Sequence, residues 1–228
     1  MKKLQIWPVI HFQTNEVALR NAAIAARCGC DGVFLIDMAG QDDPMQLDAT
    51  AAQIKQLHPK LKVGINFLSL RALDALDRNL HLGLDATWTD SPGIRSDGIE
   101  ATALDIESRL KASSSHLFFA SVAFKYQPED SDPPMAARFA RKLGMVPTTS
   151  GMKTGQAPST EKLRAMQQTN IGSALALASG VTPDNVQELG QFLTHVLVST
   201  GISQSFYLFS ETLLKQLMAN AENAHRQL

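Results

Sequence analysis

The sequence predicts a single (β/α)8 TIM barrel that occupies residues 1–228, and three observations support this prediction. The chain has 228 residues, a length at which such barrels form one domain. Short apolar runs alternate eight times with segments of helical periodicity, at roughly 28 residues per unit. An open doubly wound sheet is the alternative, but it usually carries a glycine-rich phosphate loop after the first strand. Here residues 13–16 are Gln-Thr-Asn-Glu.

The eight predicted strands are short, and several are continuous apolar stretches, as is typical of parallel strands buried on both faces. In chain order they cover residues 6–12, 32–37, 62–67, 84–89, 116–124, 145–149, 173–178 and 195–199. Eight parallel strands joined by helices are expected to close into a barrel.

Helical periodicity between these runs gathers apolar side chains on one face. The first helix groups Val17, Ala18, Ala22 and Ala25, and the third groups Leu70, Leu73, Leu76 and Leu80. The last helix is expected from about Phe206, with one face formed by Leu213, Leu214, Leu217 and Met218. The polar segments 91–98 and 126–134 each follow a strand. We expect them on the face where barrels place their sites.

Composition excludes some functions. The formal net charge of −1 gives no global attraction to nucleic acid or anionic lipid. No stretch reaches the roughly 18 apolar residues of a membrane span. The first residues imitate a signal peptide, but Gln5, Pro8 and His11 interrupt the apolar run and no cleavage site follows. We therefore expect a cytoplasmic protein.

Two cysteines lie in the sequence Arg-Cys-Gly-Cys-Asp-Gly, as Cys28 and Cys30. Thiols at this spacing make a poor disulfide, and four zinc ligands cannot be assembled nearby. We expect small buried side chains at a junction between a helix and a strand, with a redox role as the alternative.

Residues 175–186 (Leu-Ala-Leu-Ala-Ser-Gly-Val-Thr-Pro-Asp-Asn-Val) predict one half of a phosphate site. The strand is expected to end at Ser179 and Gly180, and a helix to start with Thr182 as N-cap and Pro183 at its first position. Unpaired N–H groups and the positive end of the helix dipole would then face the barrel mouth. Gly180 would let a ligand approach the backbone closely.

The next unit supplies the other half, because its strand ends in three small residues. Barrels often hold a phosphate between the loops that follow strands seven and eight. We therefore predict phosphate binding by Ser179, Gly180, Ser199, Thr200 and Gly201. Well-capped turns without a ligand are the alternative.

Polar residues end six predicted strands, at the edge where barrel strands converge on one cavity. They are His11, Asp37, Asn66, Asp90, Lys125 and Ser150. The candidate catalytic residues are Lys125, Asp37, Asp90 and His11. The candidate substrate-binding residues are Asn66, Ser150, Lys153 and Thr154, the last two from a donor-rich loop after the sixth strand.

Each catalytic role has an alternative. Asp37 and Asp90 are proton-transfer candidates if enclosure raises their pKa, and loop capping or ion pairing is the other interpretation. Lys125 is expected to bind an anionic substrate in its charged form, with Schiff-base chemistry or a solvated rim position as alternatives. His11 is either a general acid or base or a structural histidine.

No cofactor and no metal site is predicted, since the six histidines form no cluster. Mg²⁺ held with a substrate phosphate by Asp37, Asp42 and Asp43 is a weaker alternative, because their spacing is unspecific.

Several segments resemble the BtpA-like barrels, a family that includes the SgcQ-type proteins. Residues 178–186 (Ala-Ser-Gly-Val-Thr-Pro-Asp-Asn-Val) resemble the family's seventh unit almost residue for residue. Ser150-Gly151 followed by Thr154-Gly155 resembles the loop of the sixth unit. Residues 63–68, with Asn66, resemble the third strand, residues 119–125, with Lys125, resemble the fifth, and residues 8–11 are similar to the first.

The chain also departs from that family. Residues 13–16 replace a Pro/Gly-rich segment, and Trp88-Thr89-Asp90 stands where the family tends to carry Arg-x-Asn. Polar positions of the fifth strand appear as Ser121 and Ala123. The resemblance implies a TIM barrel. It also implies a role of the kind associated with this family: photosystem I biogenesis in phototrophs and sugar metabolism elsewhere.

Three functions are consistent with these observations. The favoured one is an isomerase, epimerase or lyase that acts on a phosphosugar-like metabolite bound at the carboxyl-terminal face of the barrel. The second is a non-catalytic BtpA-like assembly or regulatory factor that retains a ligand pocket. The third is a purely structural interaction protein. The expected partner is a phosphorylated small molecule, with no nucleic acid and no membrane span, and a homo-oligomer is possible.

Overall fold

The computed structural model describes residues 3–38, 43–168 and 173–224, and shows eight parallel strands alternating with eight helices. The barrel strands β1 to β8 are Gln5–His11, Gly32–Ile36, Lys62–Asn66, Ala86–Thr89, Leu117–Ser121, Val146–Thr149, Ala176–Ala178 and His195–Val198. The helices α1 to α8 are Asn15–Arg27, Pro44–Leu57, Ala72–His81, Ala101–Ala112, Pro133–Lys142, Thr160–Gln168, Val186–Gly190 and Glu211–Asn223.

The strands close into a barrel because β1 pairs in parallel with both β2 and β8. Between β1 and β8 Gln5 lies opposite His195, and between β1 and β2 His11 lies opposite Ile36. The prediction of a TIM barrel is therefore confirmed, and each predicted apolar run overlaps one strand. The fifth run is longer than its strand, which ends at Ser121, shortly before Ala123 takes a backbone φ of +47°.

Large aromatic side chains fill the interior of the barrel. Trp7, Phe34 and Phe119 are completely buried, and their ring centroids lie 5.2–5.5 Å apart. Glycines make room for them, since a Cβ atom at Gly32 would lie 2.5 Å from the Trp7 ring and one at Gly64 would lie 2.4 Å from the Phe34 ring. We call this aromatic cluster the floor of the barrel. A separate apolar layer packs between the strands and the surrounding helices.

Two predicted helix starts are wrong. The last helix begins at Glu211, capped by Ser210, because a short hairpin of Ser203–Ser205 and Leu208–Phe209 occupies the preceding segment. The seventh begins at Val186 rather than at Pro183, so Thr182 is not its N-cap. The carboxamide oxygen of Asn185 accepts the Thr182 N–H at 2.8 Å and holds this segment as a turn.

The two cysteines are free thiols at the junction of α1 and β2, as predicted. Cys28 is half-buried and Cys30 is buried, and burial raises the pKa of both thiols. The thiolate is the reactive form of cysteine, so this environment disfavours redox chemistry. Within the described ranges, the helices are too short or too polar to cross a bilayer.

Candidate functional site

A cavity of about 310 Å³ opens at the carboxyl-terminal end of the barrel. Its lining comes from the ends of strands and the loops that follow them, which is where barrels place ligand sites. Eight of the predicted site residues line it: His11, Asp90, Lys125, Thr154, Ser179, Gly180, Ser199 and Thr200. We call this region the mouth.

His11 ends β1 with its ring against Phe206 of the 203–209 hairpin, at a centroid distance of 4.4 Å. The Nδ1 atom lies 3.0 Å from the Phe206 carbonyl oxygen, which can only accept, so Nδ1 carries the proton. Burial lowers the pKa of His11, and the charge of Lys125 lowers it further. The neutral ring therefore keeps Nε2 unprotonated as a proton acceptor at the mouth.

Lys125 lies in a strained loop after β5. Its neighbours Ala123 and Tyr126 have φ values of +47° and +69°, which non-glycine residues rarely adopt. The loop is held in place by the Lys125 backbone N–H, which donates to the Ser150 hydroxyl at 2.8 Å. The Nζ atom of Lys125 donates to Thr154 Oγ1 at 3.2 Å. Burial lowers the pKa of Lys125, whereas the charges of Tyr126 and Asp90 raise it.

Asp90 follows β4 and faces the same mouth. Burial raises the pKa of its carboxyl group, although Asn66, Lys125 and Ser121 each act in the opposite direction. The Asn66 amide and the Ser121 hydroxyl both lie 3.5 Å from Asp90 Oδ1, at the limit of hydrogen bonding. A carboxyl group in this setting can exchange a proton closer to neutral pH than a solvated aspartate can.

The loops after β6 and β7 are joined at Ser179, whose own φ is +149°. Its hydroxyl accepts the Gly155 N–H at 2.9 Å and donates to the Lys153 carbonyl at 3.3 Å. Since Lys125 Nζ contacts Thr154, the amine lies beside this junction. The mouth therefore combines a cation with hydroxyl groups and loop backbone.

The two glycines of the predicted phosphate site are required for packing between loops. A Cβ atom at Gly180 would lie 2.0 Å from the Ala157 nitrogen, and one at Gly201 would lie 2.0 Å from the Val181 carbonyl oxygen. Gly180 also has a φ of +74°, which favours glycine. The close approach that each glycine permits is to protein, not to a ligand as the sequence suggested. Thr200 and Gly201 open a one-turn 3-10 helix, whose first N–H groups have no intrahelical acceptor.

Five predicted site residues lie outside the lining of this cavity. Asp37 is buried directly after β2, and Gly201 lies behind the mouth against Val181. The Ser150 hydroxyl is engaged by Lys125 and by the Gly151 carbonyl, and Lys153 is exposed. Asn66 lines a second cavity of about 280 Å³, which shares Asp90 with the first.

The weaker magnesium alternative receives no support from the part of the chain that the structure describes. No group of three potential ligands is found among those residues. Asp42 lies outside the described residues.

Sequence reasoning missed Lys162 and Phe206. Lys162 projects from α6, and its Nζ donates to the carbonyl oxygens of Ala123 at 2.7 Å and Ser150 at 3.0 Å. It thereby ties together the loops that carry Lys125 and Thr154, and burial lowers its pKa. A lysine on a polar helix gives no signal of this role. Phe206 was assigned to a helix because its apolar neighbours fit a helical period.

Comparison with solved structures shows the same fold. Phosphoribosyl anthranilate isomerase from Thermus thermophilus is 14% identical, with a TM-score of 0.67 over 95% of this chain and 98% of that chain. A phosphoribosyl anthranilate isomerase in complex with reduced 1-(o-carboxyphenylamino)-1-deoxyribulose 5-phosphate is 16% identical, with a TM-score of 0.62 over 96% and 98%. (S)-3-O-geranylgeranylglyceryl phosphate synthase from Thermoplasma acidophilum, in complex with sn-glycerol-1-phosphate, is 14% identical, with a TM-score of 0.64 over 97% and 94%.

These identities show the fold alone. No protein-family profile and no curated sequence matches the chain. The resemblance to BtpA-like barrels stays a prediction.

Proposed function

We propose that this barrel binds a phosphorylated small molecule at its mouth and moves a proton on the part of that molecule next to the phosphate. One observation carries the proposal. His11, Asp90 and Lys125, three groups able to hold or move a proton, surround the cavity that also receives the loops after β6, β7 and β8. An isomerase, epimerase or lyase needs such an acid and base beside a bound phosphate.

The phosphate is proposed to lie between Ser179–Gly180 and Ser199–Thr200. The hydroxyl groups of Ser199 and Thr200 are suitable donors for an anion. The Lys125 amine adds a positive charge at the neighbouring Thr154. Two of the similar structures carry phosphorylated ligands, a deoxyribulose 5-phosphate derivative and sn-glycerol-1-phosphate, which supports the general kind of ligand.

Each titratable group has a proposed role. His11, neutral and with Nε2 unprotonated, is the base that accepts a proton from the substrate. Asp90, with its raised pKa, is the group that returns a proton. Lys125 is assigned its charged form, which binds the anion, because a phosphate next to the amine favours the protonated form. Asp37, buried behind the lining, has no proposed role in the reaction.

A Lys125→Ala variant tests the proposal. It should weaken binding of inorganic phosphate at least tenfold, which is about 1.4 kcal/mol, because the only cation that lines the cavity among the described residues is removed. Titration calorimetry measures the affinity. Lys62→Ala, at the exposed start of β3 and the opposite end of the barrel, is the matched control and should bind like wild type.

The outcomes separate the alternatives. Wild-type affinity for phosphate in Lys125→Ala would contradict the proposed site. Phosphate binding without turnover of any phosphorylated carbonyl compound would favour a non-catalytic factor of the BtpA-like kind. A covalent adduct at Lys125 after borohydride treatment with a carbonyl substrate would replace the binding role of this lysine by Schiff-base chemistry. A cytoplasmic location and a homo-oligomer stay predictions.

A further inference from the structure

We infer that the phosphorylated ligand carries an apolar group, an aryl or alkyl group, in place of the several hydroxyl groups of a sugar. The inference rests on the proposed phosphate site and names the class of substrate that the same cavity accepts. It replaces the phosphosugar-like substrate expected from the sequence. It follows from the chemistry of the walls, the rim and the few polar atoms that reach the cavity.

The deep wall of the cavity is apolar. Val9, Ile36, Trp88, Ala178 and Leu197 line it and belong to the cluster that fills the barrel interior. Trp88 has one polar side-chain atom, Nε1, which donates to the Ser121 hydroxyl at 3.0 Å. The Trp88 indole ring therefore presents only carbon atoms to a ligand at this wall.

The rim of the mouth is apolar as well, although it faces solvent. Met38, Leu68, Tyr126 and Phe206 line the cavity and are 42%, 43%, 80% and 52% exposed. When a ligand removes apolar side chains that converge on one opening from water, the free energy of the complex is lowered. The rim and the deep wall together form one continuous apolar surface beside the phosphate loops.

Few polar side chains remain for the rest of the ligand. Away from the loops after β6, β7 and β8, the polar side chains that line the described cavity are His11, Asp90, Lys125 and the hydroxyl end of Tyr126. His11 Nδ1 is engaged by Phe206, and both Lys125 Nζ and the Tyr126 hydroxyl are engaged by Thr154. A buried sugar would bring several hydroxyl groups, each of which needs a partner to offset its lost hydration. An aryl or alkyl group needs none.

Three phosphate probes test this inference on the full-length wild-type chain. Titration calorimetry compares phenyl phosphate, ribose 5-phosphate and inorganic phosphate under the same conditions. We expect phenyl phosphate to bind at least tenfold more tightly than either of the others. Ribose 5-phosphate that binds as tightly as phenyl phosphate would overturn the inference and leave the phosphate site intact. A failure of all three to bind would overturn the proposed function itself.

A pair of exposed leucines locates the apolar contact. Leu68→Gln, at the rim, should weaken phenyl phosphate binding at least threefold and leave inorganic phosphate binding unchanged. Leu104→Gln changes a leucine of similar exposure on α4, outside the lining of the mouth, and should affect neither. Equal affinity of both variants and wild type for phenyl phosphate would overturn the inference.

Discussion

The floor and the mouth of the barrel use similar residues for opposite purposes. At the floor, Trp7, Phe34 and Phe119 are fully buried; the two phenylalanine rings meet edge to face, and the Trp7 ring packs against both at a tilt. At the mouth, Trp88 and Phe124 also pack edge to face, yet space remains above them. The two regions differ in what surrounds the rings. The floor rings pack against strands in which glycine leaves room for them, whereas the rings at the mouth lie next to loops of irregular backbone.

The mouth also holds ionisable groups in an environment that disfavours their charged forms. Burial is the main cause that lowers the pKa of His11 and Lys125 and raises that of Asp90. Strained backbone at Ala123, Tyr126 and Ser179 occurs at the same end. Such features persist at functional sites because the surrounding structure holds them. The floor therefore stabilises the fold, whereas the buried ionisable groups and strained backbone of the mouth reduce its stability.

The largest effect is expected at the floor. Trp7→Ala removes a fully buried ring that packs against two others, so the free energy of unfolding should fall by about 3–5 kcal/mol. Urea denaturation measures this change. The folded fraction should bind phosphate like wild type, because Trp7 does not line the cavity. Loss of phosphate binding in a folded Trp7→Ala protein would show that the mouth depends on the floor.

An intermediate effect is expected where the fold supports the mouth. Lys162→Met removes two charged hydrogen bonds to the carbonyls of Ala123 and Ser150. The free energy of unfolding should fall by about 1.5–3 kcal/mol, and phosphate affinity should fall with it because Lys125 loses its fixed position. Lys162→Arg should retain part of the stability and part of the phosphate affinity that Lys162→Met loses. An unchanged affinity would show that the loop is positioned without this lysine.

The smallest expected change in stability is an increase. Asp90→Asn removes a carboxyl group whose pKa is raised in the folded state, so the folded wild type loses stability as pH rises from the ordinary value of 3.8 through the raised pKa. The variant should therefore unfold at a slightly higher temperature than wild type at pH 7, with the difference vanishing in acid. Any turnover should fall at least tenfold. A variant less stable than wild type at pH 7 would show that Asp90 belongs structurally with the floor.

The barrel could be predicted because it depends on local pattern. Each strand is a short apolar run. The polar residues at the carboxyl ends of the runs, such as His11 and Asp90, lie at one end of the barrel because parallel strands share a direction. The short hairpins at Ile94–Ile99 and Ser203–Phe209 could not be predicted, since strands of two or three residues show no period.

Much of the candidate site depends on contacts between distant segments. Lys162 acts on Ala123 across 39 positions of the chain, and Asn185 overrides the expected N-cap through its side chain. Gly180 and Gly201 carry the signature of a phosphate loop, yet their space is filled by Ala157 and Val181. Which apolar residues face the cavity, and which face the helices, depends on the register around the closed barrel.

The seam between β1 and β8 has a consequence for synthesis on the ribosome. His11 meets Phe206 across 195 positions, so the mouth has one wall from the first unit and one from the last. The chain emerges from the ribosome with its amino-terminal end first. Contacts between residues that are this far apart in the sequence therefore form late. A nascent chain therefore has no complete cavity until its eighth unit has been made.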